Sequence, residues 1–202
     1  MLFDVERPVY NIRMNSDKQS FATLPPRERI LVAAHDLFYS EGIRATGVDR
    51  IIDRSSVSKV TFYRQYASKD ELIRAYLDYR HRGWISWFKS SLAQESRVGA
   101  SPTEALLLTL SGWFSQTHFR GCAFLNAAAE LGSTDPGILE VVRQHKKEMA
   151  CVLDELFGDH AVSVGQSLSL PVDGAIVHVQ MGQPLEEVLE NLKVVVERIV
   201  AT

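Results

Sequence analysis

Seven consecutive residues, Ser58-Lys59-Val60-Thr61-Phe62-Tyr63-Arg64, bring two hydroxyls, a phenol, an ammonium and a guanidinium into under two turns of chain. Lys59 and Arg64 can neutralise phosphate or read guanine. Ser58 and Thr61 can donate to phosphates or base edges, and the methyls of Val60 and Thr61 can meet a thymine methyl. Tyr63 can bond a phosphate oxygen. A helix face meant only for water favours Glu, Lys and Gln. Here the face holds β-branched and aromatic residues, which suits a nucleic-acid groove. Thr46 and Lys69 stand at expected helix N-termini, where backbone N–H groups and the helix dipole favour a phosphate.

The charge distribution points the same way. The chain of 202 residues carries a net charge of −3, yet residues 1–81 are net +2 and residues 82–202 net −5. Between Arg44 and Lys69 the cations are Arg44, Arg50, Arg54, Lys59, Arg64 and Lys69, against Asp49 and Asp53. A local basic patch on an acidic chain suits an anion-binding module joined to something else. A solvated charged face would give the same count.

The elements that must position these residues are helical. Pro25 and Pro26 suit a first helical turn. "RERILVAAHDLFYSEG" then places Ile30, Ala33, Ala34, Leu37 and Phe38 on one face, with Gly42 as the stop. Thr46 with Asp49 resembles a capping box for a short helix through Val48, Ile51 and Ile52. Ser58 can cap a second short helix to about Gln65, and Ser68 with Glu71 opens a long one. Ser101-Pro102-Thr103-Glu104 starts a helix to about His118, Gly121 to Leu131 is short and apolar, and Asp135-Pro136 starts a helix to about Phe157. Residues 160–181 are expected to be helical, kinked or broken at Pro171. Gln183-Pro184 opens the last helix. The sum is an all-α chain of about nine helices.

Two short helices joined by a tight turn, after a third helix, are the parts of a helix-turn-helix. "TGVDRIIDRSSVSKVTFYRQYASKDELI" resembles the DNA-binding signature of tetracycline-repressor-type (TetR/AcrR) transcriptional regulators. Val57-Ser58-Lys59, Thr61-Phe62-Tyr63, Tyr66 and Ser68-Lys69-Asp70-Glu71-Leu72 match in order and spacing over about residues 27–75. The family's usual Ala-Ala-Gly turn is Arg54-Ser55-Ser56 here, and Val60 and Ile52 stand where smaller residues are usual. A left-handed Ser56 would cost roughly 1 kcal/mol relative to Gly.

Residues 1–24 are mostly polar with no sustained period and read as a flexible arm. The resemblance implies a helix-turn-helix DNA-binding domain (25–68) and a helical ligand-binding and dimerisation domain (69–202). It implies a ligand-responsive homodimer on a near-palindromic operator, and the aromatic residues of the later helices point to a small apolar or aromatic effector that releases it. "RGCAFLNAAAELGSTDPGILEVVRQHKKEM" and "DGAIVHVQMG" resemble a subgroup of such C-terminal domains. The expected pocket residues are Trp84, Trp87, Phe88, Trp113, Phe114, His118, Cys122, Asn126 and His145, and plain core packing would also account for the aromatics. Cys122 reads as either a sensor thiol or a small core residue. Leu185, Val188, Leu189, Leu192, Val195, Val196 and Ile199 repeat at near-heptad spacing. With Ile176 and Val179 they form the expected dimer interface, the other reading being an intrachain core.

Other classes fit poorly. No phosphate-binding glycine loop, nucleophile elbow, HExxH or CxxC is present, so neither an enzyme nor a metal or other cofactor is expected. No run of about 18 apolar residues exists, so no membrane span is expected. Asp4, Glu6 and Arg7 occupy positions where a signal peptide would be apolar, which leads to the expectation of a cytoplasmic protein. Met14 is a second candidate start. The alternative function is a helical protein-interaction module of the same fold that has lost specific DNA binding.

Overall fold

The computed structural model describes residues 18–158 and 164–201 and, among them, contains ten helices and no strand. They are α1 (Lys18–Thr23), α2 (Pro26–Glu41), α3 (Val48–Ser55), α4 (Lys59–Gln65), α5 (Lys69–Arg97), α6 (Pro102–Phe114), α7 (Ala123–Leu131), α8 (Pro136–Phe157), α9 (Gly165–Gln180) and α10 (Leu185–Val200). The extra helix is α1, inside the stretch that reads as an arm. Most of that stretch, residues 1–17, lies outside the described residues.

Helix starts follow the capping rules. Ser58 accepts from the Thr61 N–H at the head of α4, and Ser68 from the Glu71 N–H at the head of α5. The Glu71 carboxylate reaches one residue further back than a capping box requires, to the Ala67 N–H at 2.8 Å. At Ser101 and Glu104 the box is complete. α3 departs from expectation: its cap is Gly47, with no side-chain bond, and Thr46 is not the cap. α6 ends at Phe114, short of His118.

The helix α9 runs unbroken through Pro171. The ring removes one helical hydrogen bond, but Leu168, Val172, Ala175 and Ile176 are buried against α8 and α10, and that packing holds the helix together.

α3 and α4 pack on α2, which in turn packs on α5. With 29 residues, α5 is roughly 44 Å long. Its later turns pack on α6, α7 and α8, while α8, α9 and α10 pack in sequence and α10 returns to α6. One core runs from Ile30, Phe38 and Phe62 through Tyr76 and Leu77 to Leu106, Met149, Ile176 and Val196.

Candidate nucleic-acid interface and the joint behind it

Phe62 and Tyr66 are fully buried under α2 and fix α4 in place. Arg27 of α2 clamps its far end. The guanidinium donates to the Gln65 carbonyl, lies 4.2 Å over the Tyr66 ring and approaches Glu71 at 3.9 Å. Burial raises the Tyr66 pKa, so the phenol stays neutral. With those two rings turned in, Lys59, Val60, Tyr63 and Arg64 turn out. Val60 is 77% exposed and Tyr63 46%, both large apolar surfaces left in water by the monomer. Thr61 is half-buried, and the Ser58 hydroxyl donates to its Oγ1 at 2.9 Å.

The turn before α4 needs the left-handed region, and Ser56 enters it with φ 53° and ψ 44°, the one non-glycine positive φ among the described residues. Ser55 is buried there, donating to the Ile52 carbonyl.

The cations divide into two groups. Arg50 forks onto Glu41, and Arg54 faces Asp36 at 3.9 Å, so both tie α3 to α2. Lys59 approaches the exposed Asp49 carboxylate at 3.6 Å. Arg64 makes no ion pair among the described residues and remains available to a phosphate.

The side chains of the two residues expected at phosphate-binding helix N-termini, Thr46 and Lys69, face inward. The Thr46 hydroxyl is buried and donates to the Gly42 carbonyl at 2.7 Å. The Lys69 ammonium donates to the Ile43 carbonyl at 2.6 Å and lies 5.9 Å from the Phe38 ring centre. Burial pulls the Lys69 pKa below its ordinary value. The cause is the α2–α3 turn, which leaves carbonyls pointing inward that need donors.

Tyr39, Glu130 and Arg27 carried no signal in the sequence, because their partners lie far away along the chain. The Tyr39 hydroxyl donates to the Gly121 carbonyl and accepts from the Arg120 N–H, both at 3.0 Å. The Glu130 carboxylate accepts from the Ile43 N–H at 3.1 Å and the Arg44 N–H at 2.8 Å. Both ends of α7 thus hold the C-terminal end of α2 and the turn after it. A cleft of about 450 Å³ opens at this joint, lined by Phe38, Tyr39, Phe119, Asn126, Glu130 and Gln180 among others.

Of the expected pocket residues, only Asn126 lines that cleft. Its amide donates to the Arg120 carbonyl, and its oxygen accepts from Gln180. Trp84, Phe88, Trp113, Phe114 and His145 are buried in ring-to-ring contact, with Trp87 half-buried beside them. His145 stacks on Phe124 at 3.6 Å and meets His81 at 3.1 Å between Nδ1 atoms, and His81 faces Glu148. His118 is exposed beyond the end of α6 and is no pocket anchor, since α6 stops one turn earlier than expected. Cys122 is buried at the head of α7. Burial would lower the neighbouring Lys146, but Cys122 and its ion-pair partner Asp173 push the pKa above the ordinary value.

The expected dimer stripe is split. Ile176, Val188, Leu192 and Val196 are buried within the monomer, where α9, α10 and α6 meet. Val179, Leu185, Leu189 and Ile199 are half-buried, and Val195 is exposed. The heptad pattern marked the face that packs within the chain. Exposed apolar residues in this region are Leu170 and Val177 on α9, Met181 at its C-terminal cap, and Val194 and Val195 on α10, while Val98 and Leu108 are exposed elsewhere. Leu170, Gly174, Val177 and Met181 form one stripe at four-three-four spacing.

The comparisons with known proteins agree with this architecture. Residues 30–76 match the family described as bacterial regulatory proteins, tetR family. The crystal structure of a TetR-family transcriptional regulator from Streptomyces coelicolor is similar at 31% identity and a TM-score of 0.72, over 87% of this chain and 94% of that one. The chain belongs to the TetR family of helix-turn-helix transcriptional regulators. An uncharacterised HTH-type transcriptional regulator in the lacX 3′ region of Lactococcus lactis subsp. lactis is 25% identical over 144 residues, 71% of this chain and 68% of its own length. The HTH-type transcriptional activator FasR of Mycolicibacterium smegmatis is 36% identical over 66 residues, 33% of this chain and 30% of its own.

Proposed function

We propose that this regulator is a homodimeric, effector-responsive repressor acting in the cytoplasm on a near-palindromic operator. Residues 25–68 serve as the DNA-binding domain and residues 69–202 as the effector-binding and dimerisation domain. The observation that carries the reading is the face of α4. Lys59, Val60, Tyr63 and Arg64 point outward from a helix whose Phe62 and Tyr66 are locked under α2. A helix anchored this way presents cationic, hydroxyl and methyl groups at a fixed angle, as major-groove reading requires.

Two copies are needed to read two half-sites. The stripe Leu170, Val177 and Met181, flanked by Val194 and Val195, is the surface proposed to pair across the two-fold axis. An effector in the helical body would favour a conformation in which the two α4 helices are wrongly spaced, shifting the balance by its differential affinity for the two states. The joint through α7 carries that change to the DNA-binding domain. Repression needs only occupancy of the operator, with no further contact to polymerase, and is therefore preferred over activation. Among the described residues no helix is long and apolar enough to cross a membrane.

The test is a mobility-shift titration on DNA flanking the gene, with unlabelled competitor and a salt series. Saturable binding that survives competitor and weakens steeply with salt is expected. Binding that any competitor removes, on this DNA and on sites selected from random sequence, would contradict the reading.

A further inference from the structure

Among the described residues, two neutral polar atoms of the helical body are buried without a hydrogen-bond partner from the protein: Trp84 Nε1 on α5 and Thr109 Oγ1 on α6. Each residue is 4% exposed. An unmet donor in the interior is costly, so such atoms call for an explanation. Both lie on helices that pack on each other. The Trp84 ring stacks on Phe88 at 4.6 Å and meets Trp113 at 5.5 Å and His145 at 5.2 Å. Thr109 stands one turn before Trp113, on the same side of α6.

The charged groups around this core are already committed. Arg80 bonds His35 and lies 3.9 Å over the Tyr39 ring. Lys146 pairs with Asp173, and His81 faces Glu148. A buried anion or cation here would find its candidate counter-ions taken, and burying an unpaired charge is prohibitive. A cation is further disfavoured at Trp84 Nε1, the positive edge of the indole, and one face of the ring is already stacked on Phe88.

We propose that this aromatic core takes a neutral, flat aromatic molecule bearing an acceptor oxygen, such as an aryl ketone, with Trp84 Nε1 donating to that oxygen. The inference rests on the reading that the helical body binds an effector, and it names that effector's class. The rings supply stacking and edge contacts, and the Thr109 hydroxyl is a second polar anchor. Because the rings already touch, the guest must part them. Trp87, half-buried at the edge, has the least packing to lose. Opening the core against α5 is what gives the guest a differential affinity for one conformation.

The test uses the free full-length protein and two probes of near-equal shape, 2-acetylnaphthalene and 2-isopropenylnaphthalene, titrated by tryptophan fluorescence. The ketone is expected to bind about tenfold more tightly than the hydrocarbon. In Trp84→Phe that difference should vanish while both probes still bind. If Trp84→Phe fails to fold, indole N–H resonances of the wild-type protein decide the matter: the ketone alone should shift one of the three downfield. Equal affinities, binding of neither probe, an unmoved indole signal, or a preference for 2-naphthoate or 2-naphthyltrimethylammonium would overturn the proposal. No DNA is present in this assay. A protein that prefers the ketone but binds no DNA sinks the repressor reading and leaves this inference standing. One that binds its operator but shows no ketone preference does the reverse.

Discussion

The carboxylate of Glu130, near the end of α7, accepts from the backbone N–H of Arg44 at 2.8 Å and from its neighbour Ile43 at 3.1 Å. Those two N–H groups belong to the turn between α2 and α3, so an acid of the helical body fixes the first turn of the DNA-binding unit. Such bonds to an ionised acceptor are stronger than neutral ones. Glu130→Ala should destabilise the protein by about 1–2 kcal/mol. That corresponds to a fall in Tm of about 2–4 °C per kcal/mol for a chain of this size. The variant should also hold operator DNA in the presence of effector better than the wild type does, because the joint has been cut. Differential scanning calorimetry and operator titration with and without effector read the two effects. An unchanged effector response would place the coupling elsewhere.

Tyr63→Phe should weaken binding to all DNA sequences by a similar factor, because a phenol on the rim of α4 is placed to meet a phosphate. Arg64→Ala should instead alter sequence preference if the guanidinium reads a base, or reduce the salt slope by about one if it meets a phosphate. Binding isotherms on matched and mismatched duplexes at several salt concentrations separate these outcomes. A variant showing neither effect would remove its residue from the interface.

Ser56→Gly should stabilise the protein. At φ 53° a serine side chain crowds the backbone, at a cost of roughly 1 kcal/mol that glycine avoids. Part of that gain is offset by the greater freedom of glycine in the unfolded chain. A rise in the urea midpoint with an unchanged slope is the expected result, and a fall would mean that the Ser56 side chain has a role in the turn.

Acid should destabilise the fold through its buried histidines. Burial holds the His145 pKa well below its ordinary value of 6.5, with Lys146, His81 and Arg80 adding to the effect, and it lowers His35 as well. A histidine with a depressed folded-state pKa binds its proton first in the unfolded chain. Stability is therefore full above about pH 6.5 and falls as pH drops from there toward the folded-state value. Urea midpoints measured from pH 7.5 to 5.0 should decline, and His145→Phe, which keeps a flat ring on Phe124, should decline less steeply. Equal slopes in the two proteins would exclude His145 as a source.

The dimer face can be tested by placing charge on it. Leu170 is 74% exposed and Met181 62%, so Leu170→Glu and Met181→Glu should leave the monomer folded while shifting solution mass from dimer to monomer. Sedimentation equilibrium checks this, with circular dichroism confirming retained helicity. A dimer that survives both changes would contradict the assignment of this stripe.

Much of this architecture was legible in local sequence, because caps and helix periods act over a few residues. Ser58, Ser68, Ser101 and Asp135 each announced a helix that begins where expected. Ser56 stands where the resembled family has glycine, and it does take the left-handed conformation. What stayed hidden depends on contacts across the chain. Thr46 and Lys69 read as helix N-termini open to a phosphate, and nothing local showed that their side chains meet the inward carbonyls of Gly42 and Ile43. The heptad on α10 could not say which partner it meets, and Val188, Leu192 and Val196 were used within the monomer. Pro171 lies in a helix that neighbours hold together, a tertiary effect that overrides local preference.

The measurement that most directly tests the central claim is selection of binding sites from a pool of random duplex DNA, run in parallel on the wild-type protein and on Lys59→Ala/Tyr63→Phe/Arg64→Ala. The wild type should enrich one near-palindromic sequence with half-sites about one helical turn apart, and the triple variant should not. Failure of the wild type to enrich any sequence, or enrichment of the same sequence by the triple variant, would contradict the assignment of the α4 face as the DNA-reading surface.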